Sequence, residues 1–482
     1  MDSSDISYIN STSRSFTQYN LSYPQMQSSD YRNQYSDNRG RWYDSSLDAG
    51  YTFNFHSKWS ILLAYVYRQK WNSSHQPFYR LDRLNGWGTY DSRAFGVLPS
   101  TADSLFFCLD ASNSSTTSYL NRSNTAKVAL IYSGKKNNTD IWFNLEIPIM
   151  LRNEHEHYQR ASVDTSFCLR NLIIKPKVEI SATNNKYSIN GSYNMDVQTP
   201  DVISLVNFRD DSNPLLVRVG NSHLRNRVDH NLYGGFQLNS SNGMLGGTTS
   251  VRFVQNMIID GYTYNHQTGI YTYRPDNVNG NWNGSLGVNY QHYIGKNKFW
   301  SIGTKNISVD YNHLVYLAAM DGATESSLCK MDAIGFRENL FAVYQKGSLM
   351  LSFSETLDWR HSRSGTMSAG VRNIYNYDYG LILKYMLPWQ IQINSDLMMH
   401  SHRGMNDSSR NTDNLICNVS LSHSFMNGKL IWLFDIFDMF HQLSNTEYHV
   451  TSSCISSTWN NSIPRYVMAH IIYKINIMPK KM

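Results

Sequence analysis

Apolar and polar side chains alternate with a period of two residues through most of this chain. That pattern constrains the fold strongly, because an extended strand puts successive side chains on opposite faces. One face from Trp59 reads Trp59, Ile61, Leu63, Tyr65 and Tyr67. From Ile141 it reads Ile141, Phe143, Leu145, Ile147, Ile149 and Leu151, opposed by Asn144 and Glu146. Leu286, Val288 and Tyr290 oppose Gly287, Asn289 and Gln291; Leu349, Leu351, Phe353, Leu357 and Trp359 oppose Ser352, Ser354, Thr356, Asp358 and Arg360. The same holds for Ile391 to Met399, for Leu415 to Phe425 and for Val467 to Ile477. These stretches run to about 9–12 residues, beyond the ~5–6 of a soluble strand and matched to a tilted membrane-crossing strand.

The connections sharpen the reading. Short polar turns fall at His56-Ser57-Lys58, Asn184-Asn185-Lys186, Asn239 to Gly243, Gly295 to Lys298, Gln345-Lys346-Gly347, Pro388-Trp389 and Asn427-Gly428. Long polar connections fall at Asp91 to Asn124, Gly261 to Gly280 and His402 to Thr412. Short turns at one end of the strands and long loops at the other are the layout of an outer-membrane barrel. Counting turns gives roughly 16–18 strands, within the range such barrels use. The expected fold is therefore all-β: a transmembrane antiparallel outer-membrane β-barrel spanning residues 46–482, with residues 1–45 as an outer loop or partial strands.

Composition fits a two-faced strand protein. Hydrophobic residues make up 41% and charged residues only 17% of the 482, so polarity comes largely from uncharged side chains. Aromatic residues, 13% of the chain, recur near strand ends, where interfacial girdles belong. No apolar run is long enough for a transmembrane helix. The net charge of +6 is scattered, which argues against a nucleic-acid partner. Five dispersed cysteines, Cys108, Cys168, Cys329, Cys417 and Cys454, make neither a disulfide scaffold nor a zinc site. A soluble sheet protein with sandwich cores is the competing reading, and strand length, turn asymmetry and strand number weigh against it.

Pro200 to Phe236, PDVISLVNFRDDSNPLLVRVGNSHLRNRVDHNLYGGF, resembles the mid-barrel segment of the outer-membrane β-barrel family related to TonB-dependent receptors of Gram-negative bacteria. The matching residues are Asn213, Pro214, Leu215, Gly220, Asn221 and Leu224, with Ser222 in place of the family's usual proline. Val251 to Gly280 resembles a strand and outer loop ending in the turn Asn277 to Gly280. KLIWLFDIFDMFHQLSN and IPRYVMAHIIYKINI, with Arg465-Tyr466, resemble the last two strands. As residues, Gly220-Asn221 and Asn279-Gly280 are turn pairs and Pro214 suits a loop, so none is assigned a ligand role.

The resemblance implies location in the cell outer membrane, and binding and energised uptake of a nutrient such as a siderophore, haem, vitamin or glycan. It implies as partners outer-membrane lipid, the barrel-assembly machinery, an unknown small-molecule ligand and, where a plug is supplied, the TonB system. The amino terminus MDSSDISYIN carries no signal-peptide pattern, and no plug segment is recognised. The expectation is thus the carboxyl-terminal part of a receptor, with an incomplete barrel of the ~22-strand plugged class as one form of it. The tail to MPKKM, whose last aromatic is Tyr473, departs from a terminal aromatic read during assembly. A plugless pore or surface-binding barrel, and a soluble β-sheet binding protein, stay open as alternatives.

Candidate chemistry is sparse. His155 with His157, and His400 with His402, each pair imidazoles at i, i+2, which can bind a metal if other ligands converge; solvated loop histidines are the ordinary reading. Arg360-His361-Ser362-Arg363 reads as a loop mouth. Asp435 and Asp438 are expected in the penultimate strand, with Asp435 toward the lumen or an interface, because a carboxylate at lipid depth is costly. No nucleophile elbow, phosphate loop, HExxH or dinucleotide fingerprint occurs. The chain is not expected to be an enzyme, and no catalytic, cofactor-binding or metal residues are assigned.

Overall fold

The structure is a computed structural model. It describes residues 2–23, 26–87, 98–99, 101–161, 163–206, 209–210, 215–265, 268–318, 326–365, 371–404, 411–443, 446–450, 455–459, 463 and 465–474. Twenty strand segments form one sheet whose neighbours all pair antiparallel, the fold expected for an outer-membrane barrel. Two segments are continuations. Phe78–Arg80 follows Trp59–Gln76 past Pro77 on the same edge of Met26–His56. Lys177–Thr183 follows Val163–Ile174 past Pro176 on the same edge of Thr139–Arg160. Proline lacks the ladder N–H and breaks the strand at both places. The sheet edges are Asp2–Tyr23 and Tyr466–Tyr473, and no ladder joins them among the described residues.

All seven short turns lie where the sequence places them. An eighth, Asn137-Asn138, joins Ser115–Lys136 to Thr139–Arg160 with both residues at positive φ (47° and 64°). Asparagine tolerates that geometry, which matches the twist of the flanking strands.

The strands exceed the predicted length: Ser115–Lys136 and Thr139–Arg160 each have 22 residues. The apolar outer face on the latter ends at Leu151, and the strand continues as Asn153, His155 and His157 because its backbone stays paired. Alternation therefore marks the lipid band, and pairing carries the strands beyond it. Leu63, Leu286 and Leu381, on that outer face, are each more than half exposed, as lipid contact requires.

The long connections hold structure that the sequence reading assigned to loop. Residues 115–124, expected as the end of a connection, are the start of Ser115–Lys136; ahead of it lies the helix Ala102–Phe107. The expected loop Gly261 to Gly280 is mostly a hairpin, Met257–Asn265 against Ile270–Val278. Its tyrosines hold it: Tyr264 packs on Tyr271 with ring centroids 4.5 Å apart, and Tyr262 on Tyr273 at 6.0 Å. Leu216–Val219 adds parallel to Ile270–Val278, and Arg209–Asp210 completes this second sheet. Residues 405–410 of the third connection, residues 88–97, and Asn213, Pro214, Cys454, Ile475 and Ile477 lie outside the described residues.

Candidate functional site

The family-like motifs are joints of the framework. A Cβ on Gly220 would stand 1.8 Å from the Val206 carbonyl oxygen, so only glycine fits there. Asn221, 4% exposed, donates from Nδ2 to the Pro275 carbonyl at 3.0 Å and accepts from the His223 N–H at 3.0 Å. Asn277 accepts from the Arg225 N–H and donates to the Arg225 and Asn256 carbonyls. The expectation of local turns is thus too narrow: these side chains tie together segments some fifty residues apart, which a turn pattern does not reveal.

Register shows which polar side chains share a face. Arg337, Asp358, Asn376 and His402 stand directly opposite one another on four successive strands. The next row toward the short turns is Asn339, Thr356, Asp378, His400 and Asn414. Leu357, Tyr377 and Met399 point the other way, toward lipid, so both rows face the lumen. Together they line a recess of about 550 Å³ with no apolar side chain among its described lining residues.

Its polar groups are largely paired. Arg337 Nε donates to Asp358 at 3.0 Å, Asn339 Nδ2 to Thr356 Oγ1 at 2.8 Å, and His400 Nδ1 bonds Asp378 at 2.8 Å. His402 Nδ1 bonds Asn376, while its Nε2 is buried and without a partner among the described residues. His402 lies beyond Met399, where the apolar outer face of its strand ends. Burial, with the Arg403 charge adjacent, holds the imidazole below its ordinary pKa and hence neutral near pH 7. The recess can therefore offer charged and neutral hydrogen-bonding groups to a polar solute.

The two histidine pairs lie on strands, near the ends toward the long connections, rather than in solvated loops. His155 and His157 point outward past the lipid band; His157 Nδ1 bonds Ser166 at 3.0 Å, and His155 Nδ1 approaches the Phe167 carbonyl at 3.2 Å and Cys168 Sγ at 3.4 Å. Among the described residues, no three His, Cys, Asp or Glu side chains gather closely enough to hold a metal ion. Arg360 to Arg363 also lie in a strand, Leu349–Ser364, so Arg360 and Ser362 face the lumen while His361 and Arg363 face out.

Asp435 stands opposite Ser420, 3.3 Å from His470 Nε2. Asp438 lies beyond its expected strand, which ends at Phe437: it is fully buried at φ 47°, and its carboxylate accepts the N–H groups of Gln442 and Leu443. Those bonds stop the strand by closing a tight turn.

A second polar cluster sits inside the wall near the long connections. Arg152 donates to Tyr119 Oη at 3.2 Å and to Thr199 Oγ1 at 2.9 Å, with Glu154 completing the group. Glu156, outside the lipid band, is 6% exposed, and burial beside Asp201 and Glu154 pushes its carboxyl up to about 7.

The sequence profile of the outer membrane protein beta-barrel family matches residues 151–473. No curated protein matches the chain significantly. The siderophore receptor PirA from Pseudomonas aeruginosa is similar with a TM-score of 0.31 and 10% identity, over 90% of this chain and 78% of that one. BauA, the ferric preacinetobactin receptor from Acinetobacter baumannii, gives 0.42 and 6% over 92% and 63%. The outer membrane transporter YddB from Escherichia coli gives 0.40 and 10% over 98% and 66%. The chain thus spans less than two thirds of BauA and of YddB.

Proposed function

Since the chain belongs to the outer membrane protein beta-barrel family, and so to the cell outer membrane, we propose that it binds a small polar nutrient in its lumen and serves its uptake. The observation that carries this reading is the recess of about 550 Å³, walled by Arg337, Asp358, Asp378, His400, His402 and neutral polar side chains on the face opposite the lipid. Such a wall replaces the hydration of a polar solute group by group, whereas an apolar wall would exclude it. Binding here needs no catalysis, and energised transport would further need a plug through which the TonB system could act.

Solute flux into liposomes carrying the full chain tests the reading. A receptor gives slow flux and saturable solute binding that is weakened in Asp378→Asn. Fast, unsaturable swelling limited only by solute size would replace the receptor with an open pore. Recovery of the chain from cells in the aqueous fraction without detergent would contradict both.

A further inference from the structure

A separate recess of about 340 Å³ opens on the lumen wall closer to the long connections. Arg227, Arg252, Arg360 and Arg372 all line it, and none of its described lining residues is Asp or Glu. Register explains how they meet. Arg252, Asn283, Asn312, Ala333, Ser362 and Arg372 stand directly opposite one another, forming one cross-strand row with an arginine at each end. The row crosses five strand spacings of about 4.8 Å, or roughly 24 Å of wall. Small and neutral side chains between the arginines leave the space open.

Among the described residues the charge there is not balanced. Asp229, 2% exposed, accepts from Arg227 and Arg252, each at 3.1 Å, so one carboxylate serves two guanidinium groups. Arg360 and Arg372 make no ion pair among the described residues. Arg252 Nε and Arg372 Nη1 are buried and make no hydrogen bond among the described residues. A buried N–H on a charged group is costly without an acceptor, and both arginines line the same recess.

We infer that this recess binds a soluble anion bearing carboxylate or phosphate groups, with Arg252 and Arg372 donating to its oxygens from opposite ends. Planar guanidinium groups match such oxygens bidentately. Asn283, Asn312 and Ser362 offer further polar contacts, and the apolar side chains of Val254, Leu314 and Ile374 reduce competition from water. The row faces the lumen, which favours a dissolved anion over a lipid phosphate. Binding needs this geometry alone and stands whether or not the barrel transports.

The test is calorimetry on the detergent-solubilised full chain with citrate and inorganic pyrophosphate, and in a separate arm with vesicles containing lipopolysaccharide. The expected result is binding of one or both dissolved anions, weakened by added salt and weakened about tenfold by Arg252→Gln or Arg372→Gln. Lys298→Gln, at the short-turn end, leaves it unchanged. Heat-dependent gel migration checks that each variant is folded. If Arg252→Gln/Arg372→Gln does not fold, Arg360→Gln on the exposed rim supplies the same comparison, with weaker binding expected. Failure of the wild type to bind either dissolved anion, binding only to the vesicles, or binding unchanged in the folded variants would overturn the proposal.

Discussion

The Asn221 side chain donates to the Pro275 carbonyl at 3.0 Å, joining two connections 54 residues apart. Asn221 is buried, so its loss leaves that carbonyl and the His223 N–H without their partner. Asn221→Ala is expected to destabilise this joint by about 1–3 kcal/mol. Hydrogen exchange should quicken in Met257–Asn265 and Ile270–Val278 while the long wall strands keep their protection.

Glu156 gives the mouth of the barrel a pH dependence of definite sign. Its folded-state pKa of about 7 lies above the ordinary 4.5, so between those values the folded state holds a proton that the unfolded state has released. Stability from this group falls as pH rises from 4.5 to 7, and the penalty is complete above 7. Glu156→Gln should raise the midpoint of thermal unfolding at pH 8 and leave it nearly unchanged at pH 4.5.

The turn at Asn137-Asn138 places Asn138 at φ 64°. A glycine adopts that angle freely, while a β-branched residue meets its own carbonyl. Asn138→Gly should be neutral within a few tenths of a kcal/mol, and Asn138→Val should cost about 1–2 kcal/mol. Urea unfolding of the protein in lipid vesicles measures both.

Leu286 is 61% exposed on the outer face between Trp282 and Tyr290. Arginine placed there at the depth of the lipid chains should destabilise the barrel by about 2–4 kcal/mol. Ser285→Arg, one residue away but facing the lumen, should cost much less. Equilibrium unfolding in vesicles compares the two.

The wall was legible in the sequence because each strand must satisfy lipid on one side and polar lumen on the other. That requirement writes itself as Leu349, Leu351 and Phe353 against Ser352 and Ser354. What lies beyond the lipid band carries no such signature. The hairpin Met257–Asn265/Ile270–Val278 is polar and tyrosine-rich, and reads as loop until cross-strand ring contacts are known. The arginine row was hidden for another reason: Arg252 and Arg372 lie 120 positions apart, and only the register across five ladders places them in line. Asp438 shows a third limit, since its side-chain bonds to the Gln442 and Leu443 N–H groups ended a strand that hydrophobicity would have continued.

The central claim is that one face of each wall strand meets lipid and the other meets an aqueous lumen. Spin labels placed singly at residues 350 to 358, in the protein reconstituted in bilayers, test it through collisions with oxygen and with a water-soluble nickel complex. The account predicts strict alternation, with odd positions such as Leu351 and Phe353 favouring oxygen and even positions such as Ser352 and Ser354 favouring nickel. Equal nickel access at odd and even positions would contradict it.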